Sequence, residues 1–86
     1  MKLKKELCLR SVCGDDILVP VGSAVDEFHG LFFLSPVAAA VFKAIQNGAE
    51  EPEILRLVLD EFDIDEPTAK ADIDEFLNEL RKLDII

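Results

Sequence analysis

This 86-residue chain is poor in histidine and cysteine, and its many carboxylates fall on predicted exposed helix faces, where a solvated surface is the ordinary interpretation. His29 is the only histidine, and Cys8 and Cys13 are the only cysteines. Two cysteines cannot complete a tetrahedral zinc site, and His29 has no partner histidine or cysteine at ligand spacing. The chain also lacks a glycine-rich phosphate loop. We therefore expect reduced thiols, no metal ion, no cofactor and no enzymatic activity.

The balance of charges restricts the class of partner. The chain has 9 basic and 18 acidic residues, a net charge of −9, and most of the acidic excess follows Gly48. A negative field opposes binding to nucleic acid and to anionic membrane surfaces, and it favours a basic or mixed-charge peptide. No apolar run approaches the roughly 18 residues that span a membrane, and no signal peptide is apparent. We expect a cytoplasmic protein.

The first part of the chain predicts a β-hairpin within one folded domain, residues 1–86. Apolar and polar residues alternate over residues 5–13, which is typical of a half-buried strand. The turn signal Gly-Asp-Asp at residues 14–16 precedes a returning strand at residues 17–21. Because Pro20 has no N–H, this second strand should end near it.

The stretch from Gly30 to Gly48 predicts a third strand joined directly to a capped helix. The apolar run at residues 31–34 is too short for a helix and rich in aromatics, which favours a strand. Ser35 offers an N-cap hydroxyl, Pro36 suits the first helical position, and Gly48 can end the helix in a left-handed conformation.

Apolar residues at spacings of three and four predict two more helices. The second begins at Glu51 and ends before residues 63–65, and the third is capped by Asp65 or Glu66 and continues to Leu83. The predicted fold class is α+β, with a three-stranded antiparallel sheet followed by a three-helix bundle. It is winged-helix-like in its helix count, but the sheet lies at the wrong end for the usual wing.

The third strand is apolar on both faces, which leaves two interpretations. The domain could cover this strand completely, or a groove between the strand and the third helix could receive a peptide as an additional strand. A winged-helix-like DNA-binding regulator, or a small dimerisation domain that uses the same edge, is the alternative function. The acidic third helix disfavours DNA, because it would repel the phosphate backbone.

Three segments resemble the PqqD-like family in order and spacing, over nearly the whole chain. They are ILVPVG at residues 17–22, FHGLFFLSPVAAAVFKAIQNG at residues 28–48, and DIDEPTAKADIDEFLNELRKLDII at residues 63–86. The resemblance implies a non-catalytic recognition element of natural product biosynthesis. Such an element binds the leader of a ribosomally made precursor peptide as a fourth strand and serves a modifying enzyme, often a radical S-adenosylmethionine enzyme.

Carried onto this sequence, the resemblance implies a peptide-binding site with two walls. The strand edge would comprise Leu31, Phe32, Phe33 and Leu34, mainly through main-chain groups. The wall from the third helix would comprise Ala71, Asp72, Glu75, Phe76 and Glu79. The acidic character of this wall predicts a leader with basic residues among its apolar anchors. The protein would be a monomer or an edge-paired dimer.

Overall fold

Three strands precede three helices in the computed structural model, which describes residues 1–22, 25 and 32–86. In chain order the elements are β1 (Leu7–Val12), β2 (Asp15–Pro20), β3 (Phe32–Leu34), α1 (Pro36–Gln46), α2 (Glu51–Glu61) and α3 (Glu66–Lys82). Neighbouring strands are antiparallel, in the order β1-β2-β3. The predicted α+β architecture is confirmed.

Part of the predicted third strand and the segment before it cannot be compared with the structure. Gly30 and Leu31 lie outside the described residues, as do His29 and the rest of the connection at residues 23–29 except Val25.

The hairpin turn comes earlier in the chain than the sequence pattern predicts. Val12 pairs with Asp15, so the loop consists of Cys13 and Gly14, whose φ angles are 53° and 85°. Left-handed conformation at both central positions is the mark of a type I′ turn, whose twist matches that of the flanking strands. The predicted turn at residues 14–16 and the predicted strand end at Cys13 are therefore wrong. Asp15 and Asp16 belong to β2, which ends at Pro20 as expected.

One face of the sheet lies against the helices. Leu18 in the central strand is opposite Leu9 in β1 and Phe32 in β3, and directly paired residues share a face. Leu18 is almost fully buried in the hydrophobic core, and Leu9 and Phe32 pack against that core. Ile17 and Phe33, which pair with each other, lie on the opposite face.

The signals that predict α1 are all present in the structure. Ser35 Oγ accepts a hydrogen bond from the N–H of Ala38 at 3.1 Å, and Pro36 occupies the first turn. Gly48 follows the helix with a φ of 85°. The side chain of Phe42 is completely buried in the hydrophobic core. All three helices contribute to this core, through Val41, Ile45, Ile54, Val58, Ala69, Ile73, Leu77 and Leu80.

The two ends of the described chain meet behind the sheet. The N–H of Lys4 donates to the carbonyl of Ile85 at 2.6 Å, and the side chain of Ile85 is fully buried. Asp65 occupies the N-cap position of α3, although its side chain makes no capping hydrogen bond.

Within the described ranges, no helix has the length and apolar character needed to cross a membrane.

Candidate functional site

The direction of each main-chain group in the sheet follows from the hairpin. A two-residue loop makes Val12 and Asp15 a hydrogen-bonded pair, and such pairs then alternate with non-hydrogen-bonded pairs along the ladder. The bond from the Val21 N–H to the Glu6 carbonyl, 3.0 Å long, falls in the same series. Pro20, which has no N–H to donate, occupies a non-hydrogen-bonded position against β1.

This alternation leaves the main-chain polar groups of Phe33 unused by the sheet. The groups of Asp16 and Leu18 point toward β3, so their pairs with Leu34 and Phe32 are the hydrogen-bonded ones. Phe33 lies opposite Ile17 in a non-hydrogen-bonded pair, and its N–H and C=O therefore face the outer edge of the sheet. In the part of the chain that the structure describes, no further strand pairs with this edge.

A groove runs along this edge, with β3 as one wall and α3 as the other. Its apolar end is a cavity of about 180 Å³ where the C-terminal half of α3 faces Phe32. The apolar residues lining that end include Leu18, Phe32, Phe76, Leu80, Leu83 and Ile85. The cavity is closed from behind by core residues, because Leu18, Leu80 and Ile85 are buried.

The other end of the groove is acidic. It is a cleft of about 270 Å³ between the junction of β3 with α1 and the middle of α3. The lining residues that α3 contributes are Asp72, Glu75, Phe76 and Glu79, and Leu34 and Ser35 lie on the opposite side. Phe76 and Glu79 border both ends, which makes the groove continuous.

The groove unites most of the residues that the sequence indicates. Phe32, Phe33 and Leu34 face Asp72, Glu75, Phe76 and Glu79 across it. Ala71 is exposed on α3 but borders neither end. Leu31 lies outside the described residues. The part that each of these residues takes in binding stays a prediction.

Several groove residues escape the sequence prediction because they look like ordinary core positions. Leu80 and Leu83 continue the apolar stripe of α3 from Phe76 at spacings of four and three, a signal that extends the wall toward the C-terminus. Leu18 and Ile85 enter the groove through the packing of distant segments, for which a local pattern gives no sign.

A second cleft, of about 370 Å³, is larger than either end of the groove but offers less to a ligand. It lies mainly between α1 and α2, where Lys43, Leu57 and Glu61 are among its lining residues. The main-chain groups in the interior of a helix are used within that helix, so the parts of α1 and α2 that line this cleft present mainly side chains. The groove beside β3 adds the open N–H and C=O of Phe33, and we regard it as the candidate site.

The groove supplies binding groups of three kinds: main-chain polar groups, apolar surface and carboxylates. Neither cysteine contributes to it: Cys8 lies in β1, at the far side of the sheet, and Cys13 in the hairpin turn. Ser35 uses its hydroxyl oxygen to cap α1. Among the described residues, no group of three or more histidine, cysteine or acidic side chains is arranged to hold a metal ion.

Comparison with known proteins gives a family and a structural relative. A family model described as coenzyme PQQ synthesis protein D (PqqD) matches residues 17–86. A solved structure described as TbiB1 in complex with the TbiA(beta) leader peptide is similar to this chain, with a TM-score of 0.74 and 20% sequence identity. The similarity covers 99% of this chain and 93% of that one. A search of curated protein sequences finds no significant match.

Proposed function

This chain belongs to the PqqD family, and we propose that it is a peptide-binding module that recognises the leader of a ribosomally made precursor peptide. The leader would add to β3 as a fourth strand and lie in the groove between β3 and α3. The observation that carries this proposal is the outward direction of the Phe33 N–H and C=O beside an apolar cavity. An open edge of this kind binds extended peptides through main-chain hydrogen bonds, while the adjoining cavity selects side chains.

The comparison with TbiB1 supports the choice of a leader peptide as the ligand. That protein has the same fold at 20% identity, and its structure is described as a complex with a leader peptide. In this chain the groove matches the requirements of an extended ligand, because its two ends follow one strand edge.

We further propose that the module is non-catalytic and presents the bound leader to a separate modifying enzyme. The groove offers contacts suited to holding a peptide, and the one hydroxyl among its described lining residues, that of Ser35, already accepts a hydrogen bond from the N–H of Ala38. The family resemblance implies a tailoring enzyme, often a radical S-adenosylmethionine enzyme, as the second partner. The bond-making chemistry would then lie with that enzyme.

The DNA-binding alternative finds no support in the surface of α3. Asp72, Glu75 and Glu79 are exposed on the side of α3 that borders the groove. The phosphates of DNA would repel a recognition helix with this negative charge.

Calorimetric titration tests the proposal. The purified protein is titrated with the leader segment of the short peptide encoded nearest to its gene, and the expected result is one-to-one binding at micromolar affinity or better. Absence of binding by a protein that is folded and monomeric, for the leaders of all short peptides encoded nearby, would overturn the proposal. Association of the protein with itself through the open edge would be visible as a concentration-dependent dimer in sedimentation.

A further inference from the structure

The two ends of the groove differ in character and lie beside residues two positions apart in β3. Phe32 borders the apolar end only, together with Leu80 and Leu83, whereas Leu34 borders that end and also the acidic end, which Asp72 and Glu75 help to form. Both ends also meet at Glu79. Because Phe32 and Leu34 are separated by one residue, their side chains lie on the same face of β3, about 7 Å apart along the strand.

A peptide strand added beside β3 repeats this spacing. In an antiparallel added strand the peptide residue opposite Phe33 exchanges both hydrogen bonds with its outward N–H and C=O, and in a parallel one the two flanking residues take them. In either direction the side chain of the residue opposite Phe33 lies on the face opposite the core, beside the Phe33 ring. The two peptide residues that flank it have their side chains on the other face, toward α3. One of them therefore meets the apolar end and the other the acidic end.

The acidic end contains no ion pair, although a few acids elsewhere among the described residues do have a counter-charge. Glu51 is 3.1 Å from Arg81, and Asp84 is 3.1 Å from Lys4. Among the described residues, by contrast, no lysine or arginine comes within ion-pair distance of Asp72, Glu75 or Glu79, the set we call the acidic stripe.

The acidic stripe also costs stability. Its members are spaced by three and four residues, so they are neighbours on the surface of α3. Like charges at these spacings destabilise a helix. A ligand that brings a positive charge would relieve this repulsion, and it would do so only when bound.

We propose that the groove selects a peptide strand in which an apolar residue and a lysine or arginine are separated by one residue. The apolar side chain fills the cavity beside Phe32, and the basic side chain lies against the acidic stripe beside Leu34. The residue between them pairs with Phe33. This inference rests on the proposed function, since it requires that the peptide add to the edge of β3.

Selection from a randomised peptide library tests this inference and does not require the natural ligand. Phage that display peptides randomised at ten consecutive positions are selected against the full-length protein and against the double variant Asp72→Lys/Glu75→Lys, whose two positions border the acidic end only. A matched control, Glu53→Lys/Asp60→Lys, makes the same change of net charge on α2, outside the groove. Circular dichroism establishes that each variant is folded.

The unmodified protein and the α2 control should enrich peptides with an apolar residue and a lysine or arginine at this spacing. The order of the two residues will report the direction of the added strand. The groove variant should keep the preference for the apolar residue and lose the preference for the basic one. For a selected peptide, we expect the groove variant to bind at least tenfold more weakly and the α2 control to bind within about twofold.

Two contrary results separate this inference from the proposed function. Enriched peptides that bind the unmodified protein but not Phe33→Pro, and that show no basic residue at this spacing, would overturn the inference and leave strand addition intact. No enrichment at all, or enriched peptides that bind Phe33→Pro equally well, would overturn strand addition itself.

Discussion

Phe33 lies directly opposite Ile17 in the β2–β3 pair, and this register turns both main-chain polar groups of Phe33 toward the open edge of the sheet. The side chain of Phe33 is 70% exposed, on the face away from the core. A residue so placed contributes little to the folded state and is available to an added strand. Addition of a peptide strand to β3 depends on this arrangement.

Replacement of Phe33 by proline should weaken leader binding by tenfold or more, up to complete loss, while the protein stays folded. The N–H of Phe33 takes no part in the ladder, and proline is tolerated at such positions of edge strands. The variant loses the only main-chain donor of the described part of β3 that faces outward, and its ring obstructs the incoming strand. We expect at least about a tenfold loss of affinity in calorimetry.

Phe33→Ala is the matched control for this change, since it shortens the same side chain but keeps the N–H. It should bind the leader more tightly than Phe33→Pro does. Equal affinities for the two variants would mean that the main-chain donor is not used.

Phe76→Ala should weaken leader binding and lower stability modestly. Phe76 is half-buried and borders both ends of the groove, so its loss removes apolar contact with the ligand and some contact with the core. We expect about tenfold weaker binding, measured by calorimetry. Leu57→Ala, which shortens a half-exposed residue in the cleft between α1 and α2, should leave affinity unchanged. A comparable loss from the Leu57 variant would place the binding site elsewhere.

Glu75→Lys should stabilise the fold although it impairs recognition of a basic peptide. It replaces repulsion between Glu75 and both Asp72 and Glu79 by attraction, for a gain of about 0.5 kcal/mol in the free energy of unfolding. Asp74→Lys is the matched control, because Asp74 lies four residues from Lys70 and its replacement creates a like-charged pair. The midpoint of urea unfolding should rise in the first variant and fall in the second. The opposite order would show that the acidic stripe carries no repulsive cost.

Cys13→Asn should raise the thermal stability. Cys13 has a φ of 53° in the hairpin turn, and asparagine followed by glycine is the preferred pair for a type I′ turn. A gain of about 0.5 kcal/mol corresponds to an increase of about 2–4 °C in Tm for a domain of this size. Thermal unfolding under reducing conditions measures the change, with Cys13→Val as the comparison. The valine variant should melt at a lower temperature, because a β-branched residue resists positive φ.

The sequence predicts well those parts of the fold that are determined by residues close together in the chain. The limits of α1 follow from Ser35, Pro36 and Gly48, each of which acts within one turn of the helix. The predicted turn is wrong because only one of its two central residues is marked in the sequence. Gly14 indicates a left-handed backbone conformation by its residue type, whereas Cys13 adopts the same conformation because the twist of the paired strands requires it.

The candidate site is predictable in outline and not in detail. The apolar run that includes Phe32 and Phe33 indicates a strand edge, and the family resemblance indicates the facing helix. Which of these residues faces outward depends on the ladder register, counted from the Val12–Asp15 pair through β2. The contribution of Ile85 to the groove depends on how the end of the chain packs behind the sheet, which no local pattern encodes.

Amide hydrogen exchange at Phe33, followed by NMR with and without the leader segment used in calorimetry, reports strand addition at the level of one main-chain hydrogen bond. The Phe33 N–H should exchange rapidly in the free protein and become protected as the leader saturates the groove. The N–H of Leu9, which the same alternation directs to the opposite edge of the sheet, serves as the internal control and should not change. Saturable binding that leaves Phe33 exchange unaltered, or that protects Leu9 instead, would contradict strand addition at β3.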